Sequence, residues 1–196
     1  MGTLDCNRWF LVNNLAMATA NAVAVILMGG VPMSTDTTDQ LFREAMARFT
    51  SCVTAITTME NGIPAGLIAT SVCSLSNDPP TILVCVNKSA SAHDVIQRSE
   101  IFAVNLLSAD QKDVAQRFSS VKGPDRFDAS RWKVAQSGSP ILIDSVLSFE
   151  CKVHAKHNGY SHTIFVGEII ATTLCDDSSK GSLLWHQRGF AAVAAA

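Results

Sequence analysis

The chain reads as a mainly β (α+β) protein, a β-barrel with three or so peripheral helices, and three observations carry that expectation. Cys52 to Thr58 is an alternating, β-branched run, followed closely by Asn61-Gly62, the dipeptide that two-residue hairpins favour because both positions need positive φ. Val146 to Ala155 and Thr163 to Thr173 are long strand-like runs flanking a polar connection at His157 to His162, and they read as a paired hairpin. Asp78-Pro79-Pro80 stops one strand before Thr81 to Val86 begins another, since proline offers no ladder donor and restricts the residue before it.

The remaining elements follow in order. Thr37-Thr38-Asp39-Gln40 makes a capping-box-like start, and Leu41, Phe42, Ala45, Met46 and Phe49 repeat at helical spacing, which predicts a helix packed on the barrel. Ala92 to Arg98 reads as a short helix, Ile101 to Leu107 as a strand, and Ala109 to Phe118 as a helix with Val114, Ala115 and Phe118 facing inward. Residues 119–140 are loop-like, with Gly123, Pro124, Gly138 and Pro140, yet they keep two large aromatics, Phe127 and Trp132. Leu183 to Phe190 is expected as the last strand.

The organisation expected is an N-terminal extension over residues 1–36, one domain over 37–190 and an Ala-rich tail over 191–196. In the extension Trp9 to Met33 is apolar but broken by Asn13, Asn14 and Asn21. Its longest uninterrupted apolar run is Ala22 to Met28, far short of the roughly 18 residues that span a bilayer. Arg8 is the only basic residue there and Asp5 precedes it, so a signal peptide has poor support; a loosely ordered segment or a start codon placed too early is expected instead.

With 196 residues, 47% apolar and 16% charged, the chain suits one ordinary globular domain. A net charge of −2 with scattered Lys and Arg gives no basic field for a phosphate backbone, so neither nucleic acid nor membrane is expected as a partner. Six cysteines lie far apart with no C-x-x-C pair, and four of them sit in strand-like runs, which predicts buried free thiols in a reducing cytoplasm. Five histidines lack a compact ligand spacing, so no metal site is expected. There is no G-x-S-x-G, no P-loop and no G-x-G-x-x-G turn.

The segment from Gly66 to Ser91 is the most suggestive stretch. Ala69, Thr70, Ser71, Ser74 and Ser76 place small residues and hydroxyls along one edge, the kind of surface that a flat polyfunctional ring requires. An ordinary half-buried strand and turn would use the same residues. The loop Asn87-Lys88-Ser89-Ala90-Ser91 precedes a helix, where free amides, hydroxyls and Lys88 attract an anion; plain N-capping by Ser89 or Ser91 is the alternative.

Seven segments together carry a family resemblance: Phe42-Arg-Glu-Ala-Met-Ala47, Val53-Thr-Ala-Ile-Thr-Thr58, the Gly66 to Ser91 stretch, Phe102-Ala-Val-Asn-Leu-Leu107, Asp125-Arg-Phe127 with Trp132, Gly159 to Glu168, and Leu183-Leu-Trp-His-Gln-Arg188. In this order they resemble the short-chain flavin reductases, the reductase components of two-component flavin-dependent monooxygenases, and especially the 4-hydroxyphenylacetate 3-monooxygenase reductase branch. The resemblance implies a split-barrel FMN-binding fold with Greek-key order, a homodimer, FMN or FAD as substrate or loosely held cofactor, and NADH or NADPH as the hydride source. It also implies a partner monooxygenase served by flavin diffusion.

By the same resemblance, Ala69, Thr70, Ser71, Ser74 and Ser76 line the flavin, and Asn87, Lys88, Ser89 and Ser91 receive its phosphate. Arg126 and Phe127 are further cofactor-binding candidates, Arg126 for phosphate or adenylate and Phe127 for packing, with a solvated loop arginine as the alternative. His162 is expected on the nicotinamide side as the one catalytic candidate. The hairpin here reads Gly159-Tyr160-Ser161-His162, where relatives carry Gly-Asp-His or Gly-Thr-His, and a structural histidine is the other reading. Arg188, with Trp185 and His186, is expected near the dinucleotide or else on a surface strand. Two other functions stay open: a non-catalytic flavin carrier on the same barrel, and a pyridoxamine-phosphate-oxidase-like FMN enzyme.

Overall fold

A computed structural model describes residues 35–193. Seven strands form one antiparallel sheet: β2 (Thr54–Glu60), β3 (Ile63–Ala69), β4 (Val72–Asn77), β5 (Pro80–Asn87), β6 (Ile101–Leu106), β9 (Leu147–Gly159) and β10 (His162–Leu174). Their spatial order is β3-β2-β6-β9-β10-β5-β4, so β3 and β4 are the two edges. Yet β3 and β4 are consecutive in the chain, joined only through Thr70 and Ser71. The sheet must therefore curl until its edges meet at that corner, which closes it there as a barrel. A backbone bond from the Cys85 amide to the Ser71 carbonyl, 3.0 Å, fastens the corner to β5.

Strand alternation then makes two cores. Ile56, Leu67, Ile82, Val84, Val86, Phe102, Val104, Cys151 and Phe165 fill one face of the curled sheet. Their neighbours in sequence, Ala55 and Ile68, turn to the other face, where Leu107, Val114, Phe118, Leu142 and Leu183 cover them. Full burial of a large apolar side chain contributes about 1.5–3 kcal/mol, and Phe102, Phe118 and Phe165 each reach it. Gly167 lets the first core close, because a Cβ there would lie 2.4 Å from the Phe102 ring and 2.9 Å from Cys151 Cβ. Desolvation, with Glu150 beside it, pushes the Cys151 thiol up to about 12.

Asn61 and Gly62 form the expected turn, with φ of 53° and 77°. Helix α2 (His93–Ser99) and helix α3 (Lys112–Ser120, entered through a 3-10 turn at Ala109–Gln111) also stand where the pattern put them, with Val114, Ala115 and Phe118 buried.

Several expectations are corrected. Helix α1 (Thr35–Ala47) forms, but Leu41, Phe42, Met46 and the following Phe49 are between 45% and 64% exposed, so its apolar stripe is not laid on the barrel of its own chain. The last strand is a hairpin, β11 (Leu183–His186) and β12 (Gly189–Ala192), turning at Gln187 and Arg188; it joins β1 (Ser51–Cys52) in a separate three-stranded sheet, and β12 takes up the first two residues of the supposed tail. Residues 119–140 hold a 3-10 turn at Gly123–Arg126 and a strand, β7 (Trp132–Val134), which pairs with β8 (Pro140–Leu142). Phe127 and Trp132 are packed on Phe118 and on each other, at ring distances of 5.0 to 5.6 Å, which gives this loop-like stretch a small aromatic core. Of the described cysteines Cys151 alone is buried; Cys52 and Cys73 are exposed, because they lie on edge positions, and all five are free. The expected extension falls, except for its last two residues, outside the described residues.

Candidate functional site

The register of β5 decides which candidate residues meet. His162, the first residue of β10, lies directly opposite Asn87, the last of β5, while Ser71 is bonded to Cys85 two residues away. At about 3.3 Å per residue the Thr70-Ser71 corner and the Asn87–His162 rim are roughly 7 Å apart along the strand. Ser74 and Ser76 are opposite Ile82 and Thr81, five and six residues from Asn87, or roughly 17–20 Å. The expected row of hydroxyls is thus two separate groups, because the chain leaves β3 at Ala69 and starts a new edge strand at Val72. Ser76 is also committed to its own turn: its Oγ accepts the Asp78 amide at 3.1 Å.

At the corner, Thr70 is half-buried and Ser71 exposed. Neither hydroxyl nor amide of the pair has a hydrogen-bond partner among the described residues. Such unengaged, small donors fit a ring rich in carbonyl and nitrogen acceptors. Beside Thr70 opens a cleft of about 360 Å³, walled by Thr50, Cys52, Thr54, Val72 and Phe149 among others. Cys52, Thr54 and Phe149 come from β1, β2 and β9, whereas Val72 and the further lining residue Ile82 come from β4 and β5 toward the opposite edge, and the curl of the sheet brings the two sides to one mouth.

At the rim, Asn87 Oδ1 accepts both the amide and the hydroxyl of Ser89 at 2.8 Å. The Lys88 amide donates to the Ser161 carbonyl at 3.0 Å, and Lys88 Nζ donates to Asn158 Oδ1 at 2.6 Å. The turn and the β9–β10 hairpin tip are therefore stitched into one ledge that carries a cation. Capping by Ser89 or Ser91 is corrected: helix α2 has Ala92 as its N-cap, with no side-chain bond.

His162 is half-buried, with Nδ1 2.9 Å from Ser161 Oγ, and its burial holds its pKa below the ordinary 6.5. At neutral pH it is an uncharged imidazole that can donate or accept a hydrogen bond. Behind it lies a residue that the motifs did not single out. His93 is buried, with Nε2 2.8 Å from Thr163 Oγ1 and Nδ1 2.7 Å from Asp94 Oδ1, and so bolts helix α2 to the strand that carries His162. The only signal was a histidine at a helix start; its partner is 70 residues on.

Two candidates are placed elsewhere. Arg126 is 6% exposed and its guanidinium donates to the Val121 and Gly66 carbonyls at 2.6 and 2.7 Å, so it is neither a solvated loop arginine nor a free phosphate ligand. Phe127 packs against Phe118 and Trp132. Arg188 is a turn residue with φ of 62° in the small sheet, not a strand residue beside His162; the turn is tied to helix α1 by the Gln187 amide on the Ala47 carbonyl, 2.8 Å. Among the described residues, no three His, Cys, Asp or Glu are grouped to hold a metal, and no helix is long and apolar enough to cross a membrane.

The chain is similar to a Rhizobium rhizogenes protein named FMN reductase (NADH) RutF 2, 33% identical over 162 residues, covering 82% of this chain and 92% of that one. Among solved structures it resembles nitrilotriacetate monooxygenase component B from Mycobacterium thermoresistibile, 31% identical with a TM-score of 0.76 over 82% of this chain and 89% of that one. It also resembles the Streptomyces globisporus NADH:FAD oxidoreductase SgcE6 in complex with NAD and FAD fragments, 30% identical with a TM-score of 0.75 over 84% and 98% of the two chains. The model of the flavin reductase like domain matches residues 46–194. With a match over most of its length, a split-barrel fold and a ledge of small donors at the barrel corner, the chain belongs to the flavin reductase family.

Proposed function

We propose that this protein transfers a hydride from NADH to FMN, from nicotinamide C4 to flavin N5, and releases the reduced flavin to a separate monooxygenase. The single observation that carries the reading is the pairing of an unengaged Thr70-Ser71 corner with the Asn87–His162 rim at opposite ends of one short stretch of β5. The corner suits the ring and the Asn87, Lys88 and Ser89 turn suits the phosphate, with Ala69 backing the corner and Ser91 exposed beside the turn. The flavin, when bound, supplies the redox chemistry. The protein orients the two ring systems, and neutral His162 holds the nicotinamide side by a hydrogen bond. Arg188 would reach a dinucleotide from the small-sheet turn.

FMN and NADH are preferred here because the curated relatives are named FMN reductase (NADH), although SgcE6 is named for FAD. A monooxygenase partner is supported by the name of the component B structure. A homodimer is supported by helix α1, whose Leu41, Phe42 and Met46 stripe is exposed among the described residues. A cytoplasmic site of action is supported by the cysteines, of which the five among the described residues are free.

The test is steady-state oxidation of NADH or NADPH by purified protein with FMN, FAD or riboflavin in excess. Fast oxidation that needs added flavin is expected, with NADH and FMN the better pair. A protein that binds flavin tightly but oxidises neither nicotinamide would be a carrier.

A further inference from the structure

Tyr160 holds a conformation that its side chain makes unfavourable. Its φ is 61°, in the left-handed region where a bulky aromatic is uncommon, and it is 92% exposed at the tip of the β9–β10 hairpin. Glycine would occupy the same backbone without strain. The chain therefore carries at this position a side chain that neither fills a core nor eases a turn.

Its surroundings are ordered. The hairpin is closed by the pairing of Gly159 with His162, and the residue after Tyr160, Ser161, accepts the Lys88 amide at 3.0 Å. Consecutive Cα atoms are about 3.8 Å apart, so Tyr160 is one residue from the strand end that holds Lys88, whose ammonium keeps donors for a phosphate beyond the one given to Asn158. Asn158, two residues before Tyr160, orients Lys88 Nζ at 2.6 Å. An exposed ring face and a lysine ammonium on one ledge suit a purine joined to a diphosphate.

We propose that Tyr160 is a stacking platform for the adenine of a dinucleotide, whose diphosphate reaches the Lys88 ammonium from the hairpin-tip side. The assignment rests on the flavin reductase reading for its ligands, which are NADH or FAD; both carry adenosine diphosphate, and FMN carries no adenine. FMN is accordingly the internal control.

The experiment is calorimetric titration of wild type, Tyr160→Phe and Tyr160→Gly with ADP-ribose, FAD and FMN, beside thermal melts and sedimentation of each. Tyr160→Gly should bind ADP-ribose, FAD or both about fivefold or more weakly, as loss of one base stack implies, while FMN affinity is unchanged and Tyr160→Phe resembles wild type. Its melting temperature should be equal or higher, since glycine relieves the turn, so the lost affinity cannot be misfolding. A loss confined to ADP-ribose assigns the platform to NADH, and a loss confined to FAD assigns it to the flavin. Equal affinities in all three proteins, failure of wild type to bind any adenine ligand, a matching loss for FMN, or a change in sedimentation on mutation would each overturn the platform. Failure of the parent reading is seen separately, as absence of NADH oxidation by wild type.

Discussion

His162 and Asn87 face each other across β10 and β5, each at the end of its strand. That pairing puts the imidazole beside the Asn87-Lys88-Ser89 turn, and no local feature of either segment requires it. If His162 positions the nicotinamide, His162→Ala should raise the Michaelis constant for NADH by about threefold to tenfold, the worth of one neutral hydrogen bond, and leave flavin affinity near wild type. Steady-state kinetics with each substrate varied decides it; equal damage to both constants in a destabilised protein would make His162 structural.

The same residue sets a pH dependence. Burial lowers its pKa from 6.5, so the unfolded chain binds the proton more readily than the folded one. Stability should therefore rise with pH between the lowered value and about 6.5 and then level off with respect to this group. Denaturant unfolding across that window should show the slope in wild type and a flatter profile in His162→Asn.

Ser71 tests the corner. Replacing this exposed serine by phenylalanine should fill the ring site and weaken FMN binding by about tenfold or more, with little change in melting temperature because a surface position usually costs within about 0.5 kcal/mol. A flavin titration of the folded variant that matches wild type removes the corner from the site.

Gly167→Ala tests the barrel interior. The added methyl meets the Phe102 ring and Cys151 at less than contact distance, so a loss of about 1–3 kcal/mol in unfolding free energy is expected. An unaffected denaturation midpoint would mean that the β9–β10 pair bends more freely than its packing implies.

Helix α1 tests the dimer. Phe42→Asp should lower the sedimentation mass toward that of the 20.9 kDa chain if a second copy covers the stripe. A monomeric wild type with full activity would leave that face without the proposed occupant.

The barrel strands, the Asn61-Gly62 turn and the α2 and α3 helices were legible in the sequence because their signals are local: alternation, turn dipeptides and helical spacing. What stayed hidden depends on curl and register. The row from Ala69 to Ser76 looks continuous in sequence, yet it crosses from one edge of the sheet to the other, which splits Thr70 and Ser71 from Ser74 and Ser76. Arg126 looked like a surface cation because nothing nearby foretells the Gly66 carbonyl, 60 residues earlier, that captures it. The cleft beside Thr70 joins β2 and β9 to Val72 of β4 and Ile82 of β5, and no local pattern in the sequence foretells that meeting. Leu183 to Phe190 was read through as one strand because Gln187-Arg188 lacks the glycine or asparagine that marks such turns.

In the proposed reaction one protein brings NADH and FMN together for hydride transfer. Anaerobic mixing of equimolar NADH and FMN with catalytic amounts of the protein tests it most directly, following nicotinamide and flavin absorbance together. Both absorbances should be lost one for one, and the flavin spectrum should return on admission of oxygen. Retention of both spectra in the presence of folded protein would contradict it.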